Sequence, residues 1–246
     1  MRFGGARRGP RFATIPGMRL HGTVTSPFVR RVRVVAQELG LSLEWVDTTT
    51  PEGQASLQRL SPLRKVPVLE VDGVGVLDSH AICDLLLARA PEAGEFRRPR
   101  AATQIAEGNA IHAIDGATES AIRLFYFRRD EVDSEAIPYM RLERERVART
   151  LAWLDSRVRG PWCTGVDGFG LAELAVVTAI EWMQFRAVAA LEPYPRLPRT
   201  RSDRVCERRG RRGCELSRRT GHAGAAGDVS CPGGQVDFNS CAGGGR

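Results

Sequence analysis

Three short motifs in the first eighty residues carry side-chain or backbone groups that could bind a charged ligand. The first, Ser26-Pro27, stands where a strand pattern changes into a helical one. Ser is a favoured N-cap, and Pro is favoured at the first helical position. The free N–H groups of a helix N-terminus attract an anion, and a thiolate there could also accept a hydrogen bond from Ser26. No base partner is evident beside Ser26, so the sequence does not support it as a nucleophile, and a plain helix cap is the alternative interpretation.

The second motif, Val66-Pro67, precedes a strand pattern. A cis peptide bond before Pro67 would expose the N–H and C=O of Val66 to a bound peptide, which could pair with them like an added strand. Lys65, just before this motif, could neutralise a peptide carboxylate. The simpler interpretations are a proline that starts a strand and a lysine on the surface.

The third motif, Asp78-Ser79, ends a strand pattern and opens a helix. The helix N-terminus and the Ser79 hydroxyl suit a carboxylate, whereas Asp78 suits an ammonium group. The pair therefore complements an amino-acid zwitterion. Ser79 as an ordinary N-cap is the competing interpretation.

Alternating strands and helices must position these motifs, in the order β-α-β-α-β-β-α from residue 18. The pattern predicts strands at 18–24, 43–46, 66–71 and 74–77, helices at 27–39 and 79–89, and a short helix or irregular segment at 51–60. Asp72-Gly73, between the last two strands, is a favoured hairpin turn. Each motif thus lies where a strand begins or meets a helix.

The second half of the chain has only helical patterns. After residues 91–100, which have the composition of a linker, helices are predicted at 101–127, 134–158 and 171–191. Apolar stripes are predicted for helices 27–39 and 134–158, formed by Val29, Val32, Val35, Ala36 and Leu39 and by Met140, Leu142, Val147, Leu151 and Leu154. Residues 171–180 are apolar almost all round, which predicts a buried central helix. His80 and His112 are isolated and are interpreted as surface or core residues.

The charge distribution argues against nucleic acid as a partner. The net charge is +7, but residues 1–17 contain four Arg and no acid, and residues 201–246 contain nine Arg against five acids. Residues 18–200 therefore carry almost no net charge, which is unlike a basic binding face. No apolar run is long enough for a membrane span, and the start lacks the hydrophobic core of a secretory signal.

Cysteine usage fits a reducing cytoplasm without a metal site. Residues 18–200 contain only Cys83 and Cys163, and no CxxC pair occurs. The two ends of the chain are predicted to lie outside the folded part. Residues 1–17 are interpreted as a disordered leader or a mis-assigned start, and 201–246 as a disordered tail, which we also explain by a frameshift near residues 198–200.

Taken together, these stretches resemble the bacterial glutathione S-transferase family. The likeness is carried by SPFVRRVRVVAQELGL, SPLRKVPVLEVDG and LDSHAI, and in the second half by IHAIDGATESAI and AVVTAIEWMQFRAV. It covers about residues 18–197. It implies an α/β thioredoxin-like glutathione-binding domain at 18–92, followed by an all-helical domain at 93–200.

The resemblance also implies a site and an activity. The implied catalytic residue is Ser26, near the glutathione sulfur, and the implied glutathione-binding residues are Ser26, Phe28, Lys65, Val66, Pro67, Asp78 and Ser79. In this set Val66 is the backbone clamp, Pro67 the cis-proline and Asp78-Ser79 the γ-glutamyl pair. The implied protein is a cytoplasmic, homodimeric detoxification enzyme without a metal, which conjugates glutathione to a hydrophobic electrophile.

Two other functions on the same fold stay open, and two positions depart from the family pattern. The alternatives are a non-catalytic interaction protein similar to the stringent-starvation proteins, and a glutathione-dependent isomerase or dehalogenase. Gly170 and Glu173 stand where family members often have Ser or Thr, with Asp three residues later, at the start of the central helix. Asp78 stands where many members have Glu, which keeps the charge.

Overall fold

The computed structural model describes residues 13–90, 96–97, 100–159, 162 and 168–197. Within these ranges the chain forms four strands and six helices, namely β1 Ala13–Gly22, α1 Pro27–Glu38, β2 Leu41–Asp47, α2 Pro51–Leu60, β3 Val68–Val71, β4 Val74–Leu77, α3 Ser79–Arg89, α4 Gln104–Arg129, α5 Pro138–Arg157 and α6 Leu171–Phe185. The tail 201–246, the first twelve residues and Cys163 lie outside the described residues.

The four strands form one mixed sheet in the order β2-β1-β3-β4. β1 and β2 run parallel, which requires the crossover that α1 provides. β3 is antiparallel to both β1 and β4, and the turn Asp72-Gly73 joins β3 to β4 with positive φ at both residues. This sheet, followed by a helical half, confirms the predicted thioredoxin-like fold class.

β1 begins at Ala13, five residues before the predicted start, so residues 13–17 do not belong to an unstructured leader. Ala13 and Thr14 pair in parallel with Leu41 and Ser42. The register shifts before Arg19, in a segment where Gly17 has φ +80°. The irregularity interrupts the alternation of buried and exposed residues by which a strand is recognised in a sequence. The pairing partners also lie in β2, more than twenty residues later, so the start of β1 could not be predicted.

The apolar stripe of α1 is confirmed. Its members are all buried and pack under the sheet with Ile82 and Leu86 of α3. Leu171 and Leu174 of α6 join the same cluster, so the core beneath the sheet continues into the helical half. Val29 also fixes the end of β1, since a Cβ on Gly22 would approach its methyl carbons to 2.7 Å.

The helical half has a second core, built around α6. As predicted, α6 is buried on nearly all sides, and Ile180 and Met183 pack with Ile114 of α4 and Leu151 of α5. Hydrophobic burial of this kind supplies most of the driving force for folding.

The predicted stripe of α5 is wrong at Leu142, which is 41% exposed. Glu143 takes the buried position instead and is fully buried. It accepts a hydrogen bond from Arg146 at 2.7 Å, and a nitrogen of Arg123 lies 3.4 Å from its carboxylate. An ion-paired carboxylate can enter a core that excludes an isolated charge. Hydrophobic patterning assigns Leu to the core and Glu to the surface, so it predicts Leu142 as the buried residue instead of Glu143.

α6 also ends at Phe185, six residues before the predicted end. Ala187 has φ +48°, which stops the helix. The guanidinium of Arg128 donates to the carbonyl oxygen of the cap residue Arg186 and to that of Ala187 just beyond it, the latter at 2.7 Å. Such a long-range cap has no local sequence signal.

The two described central residues of the predicted linker, Phe96 and Arg97, are packed against the helical half. Phe96 is 4% exposed and meets Phe169 edge to face. Arg97 donates two hydrogen bonds of 2.7 Å to Glu107, and its backbone N–H donates to Phe169 at 2.7 Å. One of the charged residues in the predicted linker, Arg97, is thus part of a buried ion pair.

Candidate functional site

Ser26 caps α1, as the sequence predicts. Its Oγ accepts a hydrogen bond of 3.3 Å from the N–H of Val29, and Pro27 occupies the first helical position. A hydroxyl has two acceptor lone pairs and one proton, so this contact leaves the proton of Ser26 available to a ligand. The cap and a role toward a bound anion are therefore compatible.

The Val66-Pro67 peptide bond is cis, as expected. Pro67 is buried and Val66 is half-buried. β3 begins only at Val68, so Val66 lies just beyond the last paired residue of the strand. Its backbone makes no sheet hydrogen bond within the described part of the chain, and its N–H and C=O could pair with a peptide.

At the third motif, Asp78 rather than Ser79 is the N-cap, which rules out the competing interpretation of Ser79 as an ordinary cap. Asp78 Oδ1 accepts a hydrogen bond of 2.7 Å from the N–H of His80. Asp78 has φ +76°, a conformation that L-residues rarely adopt. Its strained backbone holds an exposed carboxylate beside the start of α3 and lets Ser79 enter the helix as a residue only 2% exposed. Strain of this kind is found preferentially at functional sites.

The strand register brings the three motifs to one edge of the sheet. In the β1–β3 ladder Val68 pairs with His21, and in the β3–β4 ladder it pairs with Leu77. Continued by two residues, the same register sets Val66 opposite Thr23 on one side and opposite Ser79 on the other. Because Thr23 begins the turn that leads to Ser26, this edge collects the start of α1, the backbone of Val66 and the start of α3.

Phe28 and Lys65 lie next in sequence to the motifs at this edge, and their side chains contact other residues. Phe28 is half-buried, and the guanidinium of Arg31 lies 5.4 Å from the centre of its ring. Lys65 is largely exposed, and its Nζ is 3.5 Å from Oε1 of Glu119 in α4. An exposed pair at this distance is weak, so Glu119 would compete only modestly with a ligand carboxylate for Lys65.

Sequence reasoning missed a charged cluster formed by Arg31 of α1, His80 of α3 and Asp115 of α4. Arg31 Nη1 lies 3.1 Å from Asp115 Oδ2 and 3.2 Å from Ser79 Oγ. His80 Nε2 lies 2.5 Å from Asp115 Oδ2. His80, predicted to be an isolated surface or core residue, is thus one of three partners. The three residues lie far apart along the chain, and an Arg in a helix is normally assigned to the solvent face.

Asp115 is ionised in this cluster. Burial by itself would raise the pKa of its carboxyl, but the hydrogen bonds from His80 and Arg31 outweigh burial and lower the pKa below its usual range. His80 Nε2 lies between this carboxylate, which only accepts hydrogen bonds, and Arg31 Nη1, which only donates them and is 3.3 Å away. The cluster is therefore a fixed arrangement of charges beside Ser79.

The buried thiol of Cys83 is not part of this chemistry. Burial raises its pKa to about 12, so it stays protonated and unreactive at neutral pH. Among the described residues there is no group of His, Cys, Asp and Glu arranged to hold a metal ion. None of the helices in the described ranges combines the length and the apolar character that crossing a membrane requires.

Comparison with known proteins shows what this architecture is similar to. Residues 20–94 match the family model for the glutathione S-transferase N-terminal domain. The uncharacterized GST-like protein YibF of Escherichia coli K12 is 27% identical over 175 residues, which are 70% of this chain and 85% of that protein.

Two solved structures with bound glutathione share the fold. A glutathione S-transferase from Methylobacillus flagellatus KT is 28% identical with a TM-score of 0.62, and the match covers 73% of this chain and 90% of that one. A maleylacetoacetate isomerase from Anaeromyxobacter dehalogenans 2CP-1 is 26% identical with a TM-score of 0.54, covering 74% and 87%. Similarity thus extends over the sheet and the helical half.

Proposed function

Because this chain belongs to the glutathione S-transferase family, we propose that it binds glutathione along the sheet edge of Ser26, Val66 and Ser79 and conjugates the glutathione thiolate to a hydrophobic electrophile. The observation that carries the proposal is the strand register that sets Val66 opposite Ser79 and opposite the turn to Ser26. A short peptide can span this edge with both termini and its central backbone in contact.

Each part of glutathione has a complementary group along this edge. The γ-glutamyl zwitterion suits Asp78 and Ser79, because the exposed carboxylate attracts its ammonium group and the start of α3 attracts its carboxylate. The cysteinyl backbone suits the N–H and C=O of Val66, beside Pro67. Lys65 suits the glycine carboxylate, and Phe28 packs near the start of α1.

The cysteinyl sulfur then lies toward Ser26, where the chemistry takes place. The positive end of α1 and the free Ser26 proton stabilise a thiolate over a thiol, which raises the fraction of the nucleophile at neutral pH. The thiol gives its proton to water, and the sulfur donates an electron pair to the electrophilic carbon to form an S–C bond. The leaving group departs with the electrons of the broken bond, or, in an addition, water protonates the resulting carbanion.

The remaining features of the proposal follow from the same family membership. We expect a homodimer, a location in the cytoplasm and a role in detoxification, with glutathione as co-substrate and no metal. Nucleic acid and membrane are not expected partners, since the net positive charge lies in residues 1–17 and 201–246 and residues 18–200 carry almost none. The side chain at position 26 is a hydroxyl, so thiol–disulfide exchange is not the expected reaction.

A related isomerase activity is the second candidate, because the Anaeromyxobacter relative with bound glutathione is a maleylacetoacetate isomerase. Such a reaction needs the same bound thiolate, but it releases glutathione unchanged. The two candidates therefore differ in stoichiometry and not in the binding site.

Titration calorimetry with reduced glutathione, followed by assays on haloaromatic, enone, epoxide and cis-alkene diacid substrates, tests the proposal. Conjugation predicts binding at millimolar concentration or below and the loss of one free thiol for each product molecule. Product formation with all the thiol recovered would favour the isomerase. Absence of binding at millimolar glutathione would reject both candidates and favour an interaction protein.

A further inference from the structure

Arg31 is a charged side chain that the fold buries almost completely beside the Asp78-Ser79 pair. We propose that Arg31 is a positioning residue, held by Asp115, that fixes the Ser79 hydroxyl as a hydrogen-bond donor toward the α-carboxylate of the γ-glutamyl group. This inference rests on the proposed glutathione binding and identifies what orients one end of that site.

The geometry leaves the guanidinium little freedom. The Arg31 side chain is 2% exposed, and its two terminal nitrogens lie 3.1 Å and 2.5 Å from the two carboxylate oxygens of Asp115. Two parallel contacts fix both the position and the plane of a guanidinium. From this position Nη1 also reaches Ser79 Oγ at 3.2 Å.

The polarity of the Arg31–Ser79 contact follows from the atoms involved. A guanidinium has donors only, so Ser79 must use an oxygen lone pair in this contact. The hydroxyl proton of Ser79 then points elsewhere, and no other side chain or carbonyl in the described part of the chain accepts it. A carboxylate at the start of α3 is the acceptor that this buried proton lacks.

The charge of Arg31 also acts on such a ligand directly. A carboxylate on Ser79 would lie one hydroxyl away from the guanidinium, in a region that burial shields from solvent. His80 Nε2 also contacts Asp115, so the carboxylate that holds Arg31 is itself contacted from α3. Within the described residues, the buried Nε of Arg31 makes no hydrogen bond, and the guanidinium is held through its two terminal nitrogens.

Packing alone does not explain a charge at this position. Buried ion pairs are often matched or exceeded in stability by apolar residues of similar volume. The neighbours of Arg31 in α1, Val29, Val32 and Val35, supply the apolar contacts of the helix. A role in orienting Ser79 accounts for the arginine, whereas a space-filling role does not.

The test compares two variants and two ligands. Arg31→Met removes the proposed positioning group. The matched control is Arg30→Met, because Arg30 also joins α1 to the helical half, through an ion pair with Glu181, but does not touch Ser79. The ligands are glutathione and 4-aminobutanoyl-cysteinyl-glycine, which lacks only the α-carboxylate. Titration calorimetry gives the dissociation constants, and thermal unfolding shows whether each variant folds.

We expect Arg31→Met to weaken glutathione binding by about tenfold, the effect of losing one hydrogen bond to a charged group. The same variant should bind the decarboxylated analogue within about twofold of the wild type, and Arg30→Met should bind both ligands like the wild type. General loosening of the site would instead weaken both ligands equally and would contradict the proposal.

Arg31→Lys provides the same test if Arg31→Met does not fold. A lysine keeps the charge but cannot contact Asp115 and Ser79 in the fixed fork of a guanidinium. It should weaken glutathione, but not the analogue. Equal affinity of Arg31→Lys and wild type for glutathione would overturn the inference and leave the proposed function intact. Failure of the wild type to bind glutathione would overturn both.

Discussion

The carbonyl oxygen of Arg97 lies 2.8 Å from the point where a Cβ atom on Gly170 would stand. Gly170 is the N-cap residue of α6, at the position where the family resemblance led us to expect a capping Ser or Thr. In this chain the segment of Arg97 is drawn tightly against the helix start by the hydrogen bonds to Glu107 and Phe169. A side chain at position 170 would collide with the backbone of Arg97. This explains why a glycine, and not a capping Ser or Thr, stands at this position.

Gly170→Ser is therefore expected to destabilise the protein by about 1–3 kcal/mol, the usual effect of overpacking, although Ser is the better N-cap in isolation. Gly116→Ala is the matched control, because a Cβ there meets nothing within 4 Å on an exposed face of α4. The control should stabilise by about 0.5–1 kcal/mol. Urea unfolding measures both, and a stabilising Gly170→Ser would contradict this explanation.

Asp78 combines a helix cap, an exposed charge and a strained backbone, and two substitutions separate these roles. Asp78→Asn keeps the cap hydrogen bond but removes the charge, so stability should change little while glutathione binding weakens by about tenfold. Asp78→Gly removes the strain at φ +76° and should weaken binding without loss of stability. Calorimetry and thermal unfolding measure the two effects. Unchanged affinity in Asp78→Asn would show that the carboxylate does not meet the ligand ammonium group.

Ser26→Ala should affect both stability and chemistry. Loss of the cap to Val29 is expected to cost about 1 kcal/mol. Loss of the hydroxyl should raise the pKa of the bound glutathione thiol, so that the pH profile of kcat/KM shifts to higher pH. Glutathione affinity should change little. Ser26→Thr, which keeps a hydroxyl, is the control and should retain the profile. If Ser26→Ala conjugates at the wild-type rate at every pH, Ser26 is only a helix cap.

His21 predicts how stability responds to acid. Its side chain is fully buried, with Nε2 2.9 Å from Ser56 Oγ. Burial lowers its pKa, against smaller opposite effects of the Arg19 carbonyl and Glu70. The unfolded chain, with an ordinary His pKa of about 6.5, therefore takes up the proton first, and stability falls as the pH drops below this value.

The expected measurement is a free energy of unfolding that decreases between about pH 7 and pH 5, with a smaller slope in His21→Gln. The carboxyls of Asp115 and Glu107 also have lowered pKa values in the fold, since hydrogen bonds from His80 and Arg31 and from Arg97 and Thr103 outweigh the effect of burial. Their stabilisation is present above the unfolded carboxyl pKa of about 4 and is lost only at lower pH, so the two effects separate. An equal slope in wild type and His21→Gln would contradict the assignment to His21.

The sequence predicts the parts of this molecule that have local signals. Ser26-Pro27 and Asp72-Gly73 have the residue types that their backbone geometry favours, and the strands near the site are short apolar segments bounded by turn residues. These signals were sufficient to find the three motifs, and the fold class followed from the family resemblance that the motifs carry. At the third motif the helix cap is Asp78 and not Ser79.

The missed features depend on contacts between distant residues. Arg31 can be buried because it pairs with Asp115, which lies 84 positions further along the chain. Glu143 can be buried because it pairs with Arg123 and Arg146. The sequence does not distinguish charged side chains that form a buried ion pair from charged side chains that are exposed to solvent. For the same reason His80 could not be assigned before its neighbours were known.

The most direct test of the proposed binding mode is a crystal structure of the protein with glutathione. We expect the γ-glutamyl carboxylate within hydrogen-bond distance of Ser79 Oγ, the cysteinyl backbone paired with the N–H and C=O of Val66, and the sulfur nearest to Ser26 Oγ. Glutathione bound at another surface, or an empty sheet edge in crystals saturated with it, would contradict the account.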